Sequence, residues 1–456
     1  MKKRLLLFAL AGMTASAGLD FDGGGDFRFR EETWDKAPTR GGKVCPKEDF
    51  FRIRTRLWGQ VKYGEDIRLY GRFTHEPRYY LAQHWKKGYT WPDEVLLDNL
   101  YLEWKEIGWD WLDMRVGRQD FYTPDGWVRV FGEGTPGDGS RTFYNDALAF
   151  TIHFDELNTW KLIGIYDSPT AGVSIGRPKG LPAEWDNERS LTNLELSTYD
   201  LVESGVFSWF TTKEITGMPI DIYSAWKNET DYRAKDFQTG AWVRRPGRNI
   251  FTQGLRVTPT FSRTLSAEGD IAGQVGQTHD GQLCAAWSAY GAVKYSPEVK
   301  FRPYIGPGLA LYSGDENPRE GTDTNWNSLW GRHTHFGELV GAYSYWNYYG
   351  LFTVCNTAYP HLLAGADFSK THKIALHAGP LFALEDDTDY TGQLGDSLYR
   401  GVQSYIRYDF LLCKGLFGTR GDLKGMIWLE LFQPGDYYGP ADELAYFLRW
   451  QVSIDF

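Results

Sequence analysis

From Tyr446 to Phe456 the chain alternates with a period of two. Tyr446, Leu448, Trp450, Val452, Ile454 and Phe456 are large and apolar, while Phe447, Arg449, Gln451, Ser453 and Asp455 between them are mostly polar. Side chains on a strand point to opposite faces in turn, so this segment predicts a strand with one apolar and one wet face. The pattern recurs upstream. Phe51, Ile53, Thr55 and Leu57 oppose Arg52, Arg54 and Arg56. Ile67, Leu69 and Phe73 oppose Arg68, Tyr70 and Arg72. Leu100, Leu102 and Trp104 oppose Asn99, Tyr101 and Glu103, and Leu112, Met114 and Val116 oppose Asp113, Arg115 and Gly117. Leu148, Phe150, Ile152 and Phe154 oppose Ala147, Ala149, Thr151 and His153. Three arginines in one row would be costly in a dry core and are tolerable beside water.

The connections alternate as well. Tyr63 to Asp66, Glu106 to Asp110 and Asp155 to Asn158 are short turns, whereas Pro77 to Glu94, Asp120 to Arg141 and Ser168 to Thr192 are longer and polar. Short periplasmic turns and long outer loops belong to a transmembrane barrel. A blade-length repeat, which would mark a propeller, is absent from the sequence. At about 22–25 residues for a strand and its connection, the chain predicts roughly 16 to 18 strands. The expected fold is therefore all-β: a transmembrane, antiparallel, up-and-down β-barrel of about 18 strands, with 16 the other even number. A barrel of that size is expected to hold an aqueous channel rather than a packed interior.

The N-terminus supports an outer-membrane destination. Lys2, Lys3 and Arg4 precede an apolar run from Leu5 to Ala11, and Ala15-Ser16-Ala17 offers a cleavage site. Residues 1–17 thus read as a secretory signal peptide and 18–456 as a single barrel domain. No later stretch is apolar and long enough for a membrane helix, which leaves the barrel reading intact because barrel strands have low mean hydropathy. Aromatic residues make up 16% of the chain, enough to supply the interface girdles of a barrel. A soluble carbohydrate-binding sandwich would use them too. The formal net charge of −10 argues against nucleic acid as a partner.

Candidate chemistry is sparse. Cys45, Cys284, Cys355 and Cys413 form no CxxC pair, so neither a zinc site nor a redox motif is indicated. In an oxidising compartment they could pair in three ways, and spacing does not choose among them. His333 and His335 share a strand face, but no third ligand stands near them. The sequence contains no GxSxG, HExxH or P-loop, and His153, Ser140 and Asn145 make no recognisable catalytic pattern. Neither a metal nor another cofactor is expected. The glycine-rich stretch from Asp120 to Arg141, with Gly126, Gly132, Gly134, Gly137 and Gly139, reads as a surface loop that could also fold inward. Pro169 to Trp185 reads as a second surface loop.

Three ordered segments carry a family resemblance over roughly residues 50–155: Asp98-Asn99-Leu100-Tyr101-Leu102-Glu103-Trp104, Met114-Arg115-Val116-Gly117-Arg118-Gln119-Asp120, and Gly139-Ser140-Arg141-Thr142-Phe143-Tyr144-Asn145-Asp146-Ala147. Together they resemble the alginate-export family of outer-membrane porins. The chain departs from that family's Phe-Asp-Gly at Phe143-Tyr144-Asn145-Asp146. The resemblance implies an 18-stranded barrel whose electropositive lumen passes an anionic polysaccharide, with a periplasmic export partner. The final strand, ending on Phe456, resembles the C-terminal signature of bacterial outer-membrane proteins.

The residues expected to line the pore are Arg52, Arg54, Arg56, Arg68, Arg72, Arg115 and Arg118, with Glu103. Arg28, Arg30 and Arg407 rank behind them. A guanidinium is always charged and meets a carboxylate as a planar fork, so a row of them would attract anions. The competing reading is that these arginines brace the wall by pairing with Glu103 and Asp113. The expected function is an outer-membrane channel for passive passage of hydrophilic or anionic solutes, or of a polysaccharide. A general or nutrient-uptake porin is the alternative, and a barrel enzyme or adhesion scaffold stands behind both. The expected surroundings are outer-membrane lipid and a saccharide solute.

Overall fold

A computed structural model describes residues 18–39, 43–45, 47–82, 90–91, 95–121, 144–167, 174–175, 202–235, 242–278, 281–317, 320–330, 337–339, 355–387, 397–416 and 421–456. The expected signal peptide, Ser140 with the glycines from Gly126 to Gly139, His333 and His335 lie outside the described residues, as does nearly all of the loop from Pro169 to Trp185.

Eighteen long strands form the wall. They are β1 (Leu19–Asp35), β2 (Glu48–Tyr63), β3 (Ile67–His75), β4 (Val95–Trp104), β5 (Leu112–Gln119) and β6 (Asn145–His153). Next come β7 (Asn158–Asp167), β8 (Glu203–Thr212), β9 (Ile220–Glu229), β10 (Arg248–Val257), β11 (Leu265–Gln277) and β12 (Leu283–Tyr295). The last six are β13 (Pro303–Tyr312), β14 (Thr357–Asp367), β15 (Lys373–Phe382), β16 (Tyr399–Cys413), β17 (Leu423–Pro434) and β18 (Ala445–Asp455). Each pairs antiparallel with its neighbours in the chain, and β1 closes the ring on β18 with Asp26 opposite Asp455 and Asp35 opposite Tyr446. The seam is completed by Gly25 and Phe456, whose amides each donate to the other's carbonyl at 2.8 Å. Closure removes the free edges that an open sheet would expose to lipid.

Period-two patterning decides which way each side chain faces. Leu57 and Leu100 are 54% and 46% exposed on the outside, while Arg54 and Tyr101 beside them are buried within. On β10 burial alternates residue by residue from Arg248 to Arg256. One register shift, between Arg72 and Phe73 on β3, bulges β4 so that Asp98 and Asn99 are both buried. The bulge spends an extra residue to bring a second polar group inside.

The two rims differ. At the rim that holds Leu19 and Phe456 the strands are joined by short turns. Gly64, at φ +62°, lets the first of them reverse tightly. In the turn between β6 and β7, the carboxylate of Asp155 accepts from the Asn158 side chain and from the Leu157 amide at 2.7 Å. These donors hold its pKa below the usual aspartate value. At the other rim most connections are long, and the one between β13 and β14 turns inward.

All four cysteines are free thiols. Cys45, Cys284 and Cys355 are buried and Cys413 is exposed, so none of the three possible pairings is formed.

Candidate functional site

The inner faces of β1 to β5 and β18 carry the arginine row. Near the short-turn rim, Arg68 on β3 and Arg115 on β5 both reach Glu103 Oε2 on β4, at 3.0 Å and 2.9 Å. Both guanidinium groups also lie over the ring of Tyr101, at 5.6 Å and 4.7 Å. Cross-strand spacing explains the cluster, since Glu103 stands opposite Arg68 on one side and Arg115 on the other. Arg68 is 30% and Arg115 34% exposed, so water reaches the row at this level. Asp113 does not join it. Its carboxylate accepts from the Glu106 amide at 3.0 Å and meets His153 Nε2 at 3.0 Å.

Midway up, Arg72 spans Asp98 at 3.0 Å and Asp120 at 2.9 Å. Arg54 holds Asp26 at 3.0 Å, and Arg56 stands between Asp26 and Thr74 in the register. Arg118 departs from the expected row. It pairs in register with Leu100 and Asp146, in line with Val116 rather than with Arg115. Its guanidinium closes on Asp146 at 2.8 Å and 2.9 Å and covers Tyr144 at 4.3 Å. Gly117 before it sits at φ +121°, which breaks the regular alternation, and Arg118 is 8% exposed with its guanidinium also donating to the Leu97 carbonyl at 3.1 Å.

Towards the long-connection rim the same residue type is enclosed. Arg28 and Arg30 are 0% exposed and Arg52 is 5% exposed. Arg52 Nε meets Glu76 at 3.1 Å, and Arg28 pairs with the same carboxylate. Glu32 takes Arg30 at 2.5 Å, Arg52 at 3.4 Å and Arg449 at 3.1 Å. The expectation of an aqueous channel beside Arg52 fails at this depth. Taking a charge out of water costs several kcal/mol per ion, and interleaved carboxylates offset that cost.

The described parts of the connection between β13 and β14 reach into the bore at two walls. Along residues 326–330, Lys227 on β9 donates to the Leu329 carbonyl at 3.1 Å beneath the Trp330 ring. Gln274 on β11 exchanges two hydrogen bonds with the backbone of Asn327, at 2.5 Å and 2.9 Å. Trp330 packs on Gly205 of β8, where a Cβ would come within 2.4 Å of its ring. Residues 337–339 touch the far wall. Glu430 on β17 accepts from the Glu338 and Leu339 amides at 2.7 Å and 2.8 Å, and Arg449 on β18 holds Glu338 at 2.9 Å. In a ring of eighteen, β8 and β9 stand opposite β17 and β18.

The wall away from the arginine row is acidic. Lys227 bridges Glu203 and Glu229 at 2.5 Å and 2.9 Å. Lower down, Arg256 sits between Asp221 at 3.0 Å and Glu268 at 3.1 Å, and Tyr223 donates to Asp270 at 2.8 Å. A third sector is aromatic: Tyr290, His361, His377, Tyr405 and Trp428 follow one another at ring separations of 6.2, 5.7, 4.5 and 5.7 Å. Arg407, ranked low from sequence, pairs with Asp409 at 2.8 Å and faces Trp428 at 5.7 Å.

Sequence reasoning passed over Lys227, Glu430 and the inward connection. Glu430 did leave a signal, as the lone carboxylate in Met426-Ile427-Trp428-Leu429-Glu430-Leu431-Phe432. An unpaired charge on a barrel strand has to face inward and find a donor.

A closed ring of eighteen antiparallel strands, apolar outside and charged within, is an outer-membrane β-barrel of the porin type. Solved structures with this architecture include three outer-membrane proteins of Pseudomonas aeruginosa. OccK11 (OpdR) aligns at TM-score 0.56 and 10% identity, over 97% of this chain and 98% of that one. OprD aligns at 0.56 and 8%, over 97% and 96%, and OccK5 (OpdH) at 0.55 and 11%, over 97% and 99%. At such identities the likeness is one of fold. No protein-family model and no curated protein matches the chain. The alginate-export resemblance therefore gains no support beyond the short segments that suggested it, and the structural likeness is to OprD and Occ porins instead.

Proposed function

We propose that the chain is a passive channel for small hydrophilic solutes, a nutrient-uptake porin rather than a polysaccharide exporter, with a preference for anions at its short-turn end. The observation that carries this reading is the water-exposed arginine pair Arg68 and Arg115 at the short-turn rim, with the inward connection hydrogen-bonded to two opposite walls further up the bore. Exposed guanidinium groups lower the barrier for an anion. A lumen narrowed from both sides suits small solutes better than a polymer. Likeness of fold to OprD and the Occ proteins favours the same choice. Arg54, Arg56 and Arg72 continue the row upward, each placed beside a carboxylate that moderates its field.

The test is single-channel recording from the purified mature chain in a planar bilayer, under a salt gradient. Small, anion-preferring steps unaffected by a polyuronate are expected. Block by the polyuronate would restore the exporter reading. A folded barrel without steps would move attention to the enzyme or scaffold readings.

A further inference from the structure

We infer that Glu430 is the positioning residue that sets the width of the pore, by clamping the backbone of the inward connection to the wall. The inference rests on the channel reading above and adds a named determinant to it. Three observations converge on this carboxylate. Both of its oxygens are used by main-chain donors, the amides of Glu338 at 2.7 Å and Leu339 at 2.8 Å. Backbone amides carry no choice of side chain, so the clamp holds the path of the chain and not one residue on it. Gly337, at φ +111°, comes so near that a Cβ would lie 2.7 Å from the Glu430 oxygens and 2.6 Å from Gln403 Nε2. The approach therefore needs glycine on both conformational and steric grounds. Arg449, between Glu338 at 2.9 Å and Glu32 at 3.1 Å, ties the same point to the buried arginine network of β1 and β2.

The geometry makes this the selective end. At β8, β9 and β11 the connection is held by a ring, a lysine and an amide, acting at three residues. At β17 one carboxylate takes two amides. A leucine in its place leaves two buried N–H groups without a partner. The segment then gains by leaving its place against β17, and the width of the bore at this level changes with it. Solute size would respond, while the field of Arg68 and Arg115, at the other rim, would not.

Single-channel conductance and liposome swelling with neutral sugars of increasing size test this on the full chain, using Glu430→Leu and Glu430→Gln. Each variant is first checked for a heat-modifiable barrel. Glu430→Leu is expected to change unit conductance by about twofold or more, in proportion to open cross-section, and to shift the sugar cut-off. Glu430→Gln keeps one carbonyl acceptor and should fall between. Wild-type conductance and cut-off in a folded Glu430→Leu barrel would overturn the inference. If that variant does not fold, Gly337→Val, which pushes the backbone off the same carboxylate, must reproduce the shift, and wild-type behaviour there overturns it equally. A wild type that stays closed while Glu430→Leu opens would support the clamp and sink the open-channel reading. If both stay closed, both fall.

Discussion

Arginine does two different jobs on the two halves of one inner wall. From mid-height to the long-connection rim, Arg28, Arg30 and Arg52 are enclosed among Glu32 and Glu76, with Arg449 closing the network. Near the short-turn rim, Arg68 and Arg115 share Glu103 and the face of Tyr101 with about a third of each side chain in water. The residue and the strand parity are the same. What differs is whether another piece of chain covers the charge. Covered, an arginine is a brace whose loss costs stability. Uncovered, it is a source of field whose loss costs selectivity.

The largest expected effect lies in the covered half. Glu76→Ala removes the carboxylate shared by Arg28 and Arg52 and leaves buried charge, at a cost of about 3–5 kcal/mol. Urea unfolding in detergent, followed by the heat-modifiable shift, reads it. A loss too small to measure would mean that water reaches this level and the two halves are alike. In the exposed half, Arg68→Ala with Arg115→Ala should change stability by no more than about 1 kcal/mol, since the pairs are screened by solvent. The same double variant should move the reversal potential towards zero selectivity. An unchanged reversal potential would show that neither arginine meets the permeating ion.

Thiol labelling draws the border between the halves. With a membrane-impermeant thiosulfonate, Arg115→Cys should react in the folded barrel while Arg30→Cys does not, over a background from exposed Cys413. Cys45 should also stay silent, because burial pushes its thiol up to about 12 and leaves almost no thiolate at neutral pH. Equal labelling at positions 30 and 115 would erase the border. The smallest effect lies outside both halves. The Asp155 carboxyl is depressed by Asn158 and the Leu157 amide. Its stabilisation of the turn is thus fully present above the ordinary aspartate range, about pH 4, and is lost as pH falls through the lower folded value. Asp155→Ala should weaken the fold slightly at neutral pH and flatten this acid-side slope. A slope unchanged in the variant would place the acid sensitivity elsewhere.

The barrel itself was legible in the sequence. A period of two is a local property, and it told which of Arg52, Ile53 and Arg54 turn inward without any knowledge of neighbours. Short and long connections gave the two rims, and their spacing bounded the strand number at roughly 16 to 18, of which the fold has eighteen. At Gly117, whose φ is +121°, the local period of two is interrupted, and Arg118 beyond it is bound to Asp146 rather than to the Glu103 of the row. Tertiary structure alone decided which inward charges meet water. Arg449 and Glu32 are distant in sequence and become neighbours only when β18 closes on β1. Glu338 reaches Glu430 and Arg449 only because a connection with no strand periodicity folds into the bore. Facing is fixed by the geometry of one strand. Burial of a charge is fixed by what lies across from it, and no local pattern records that.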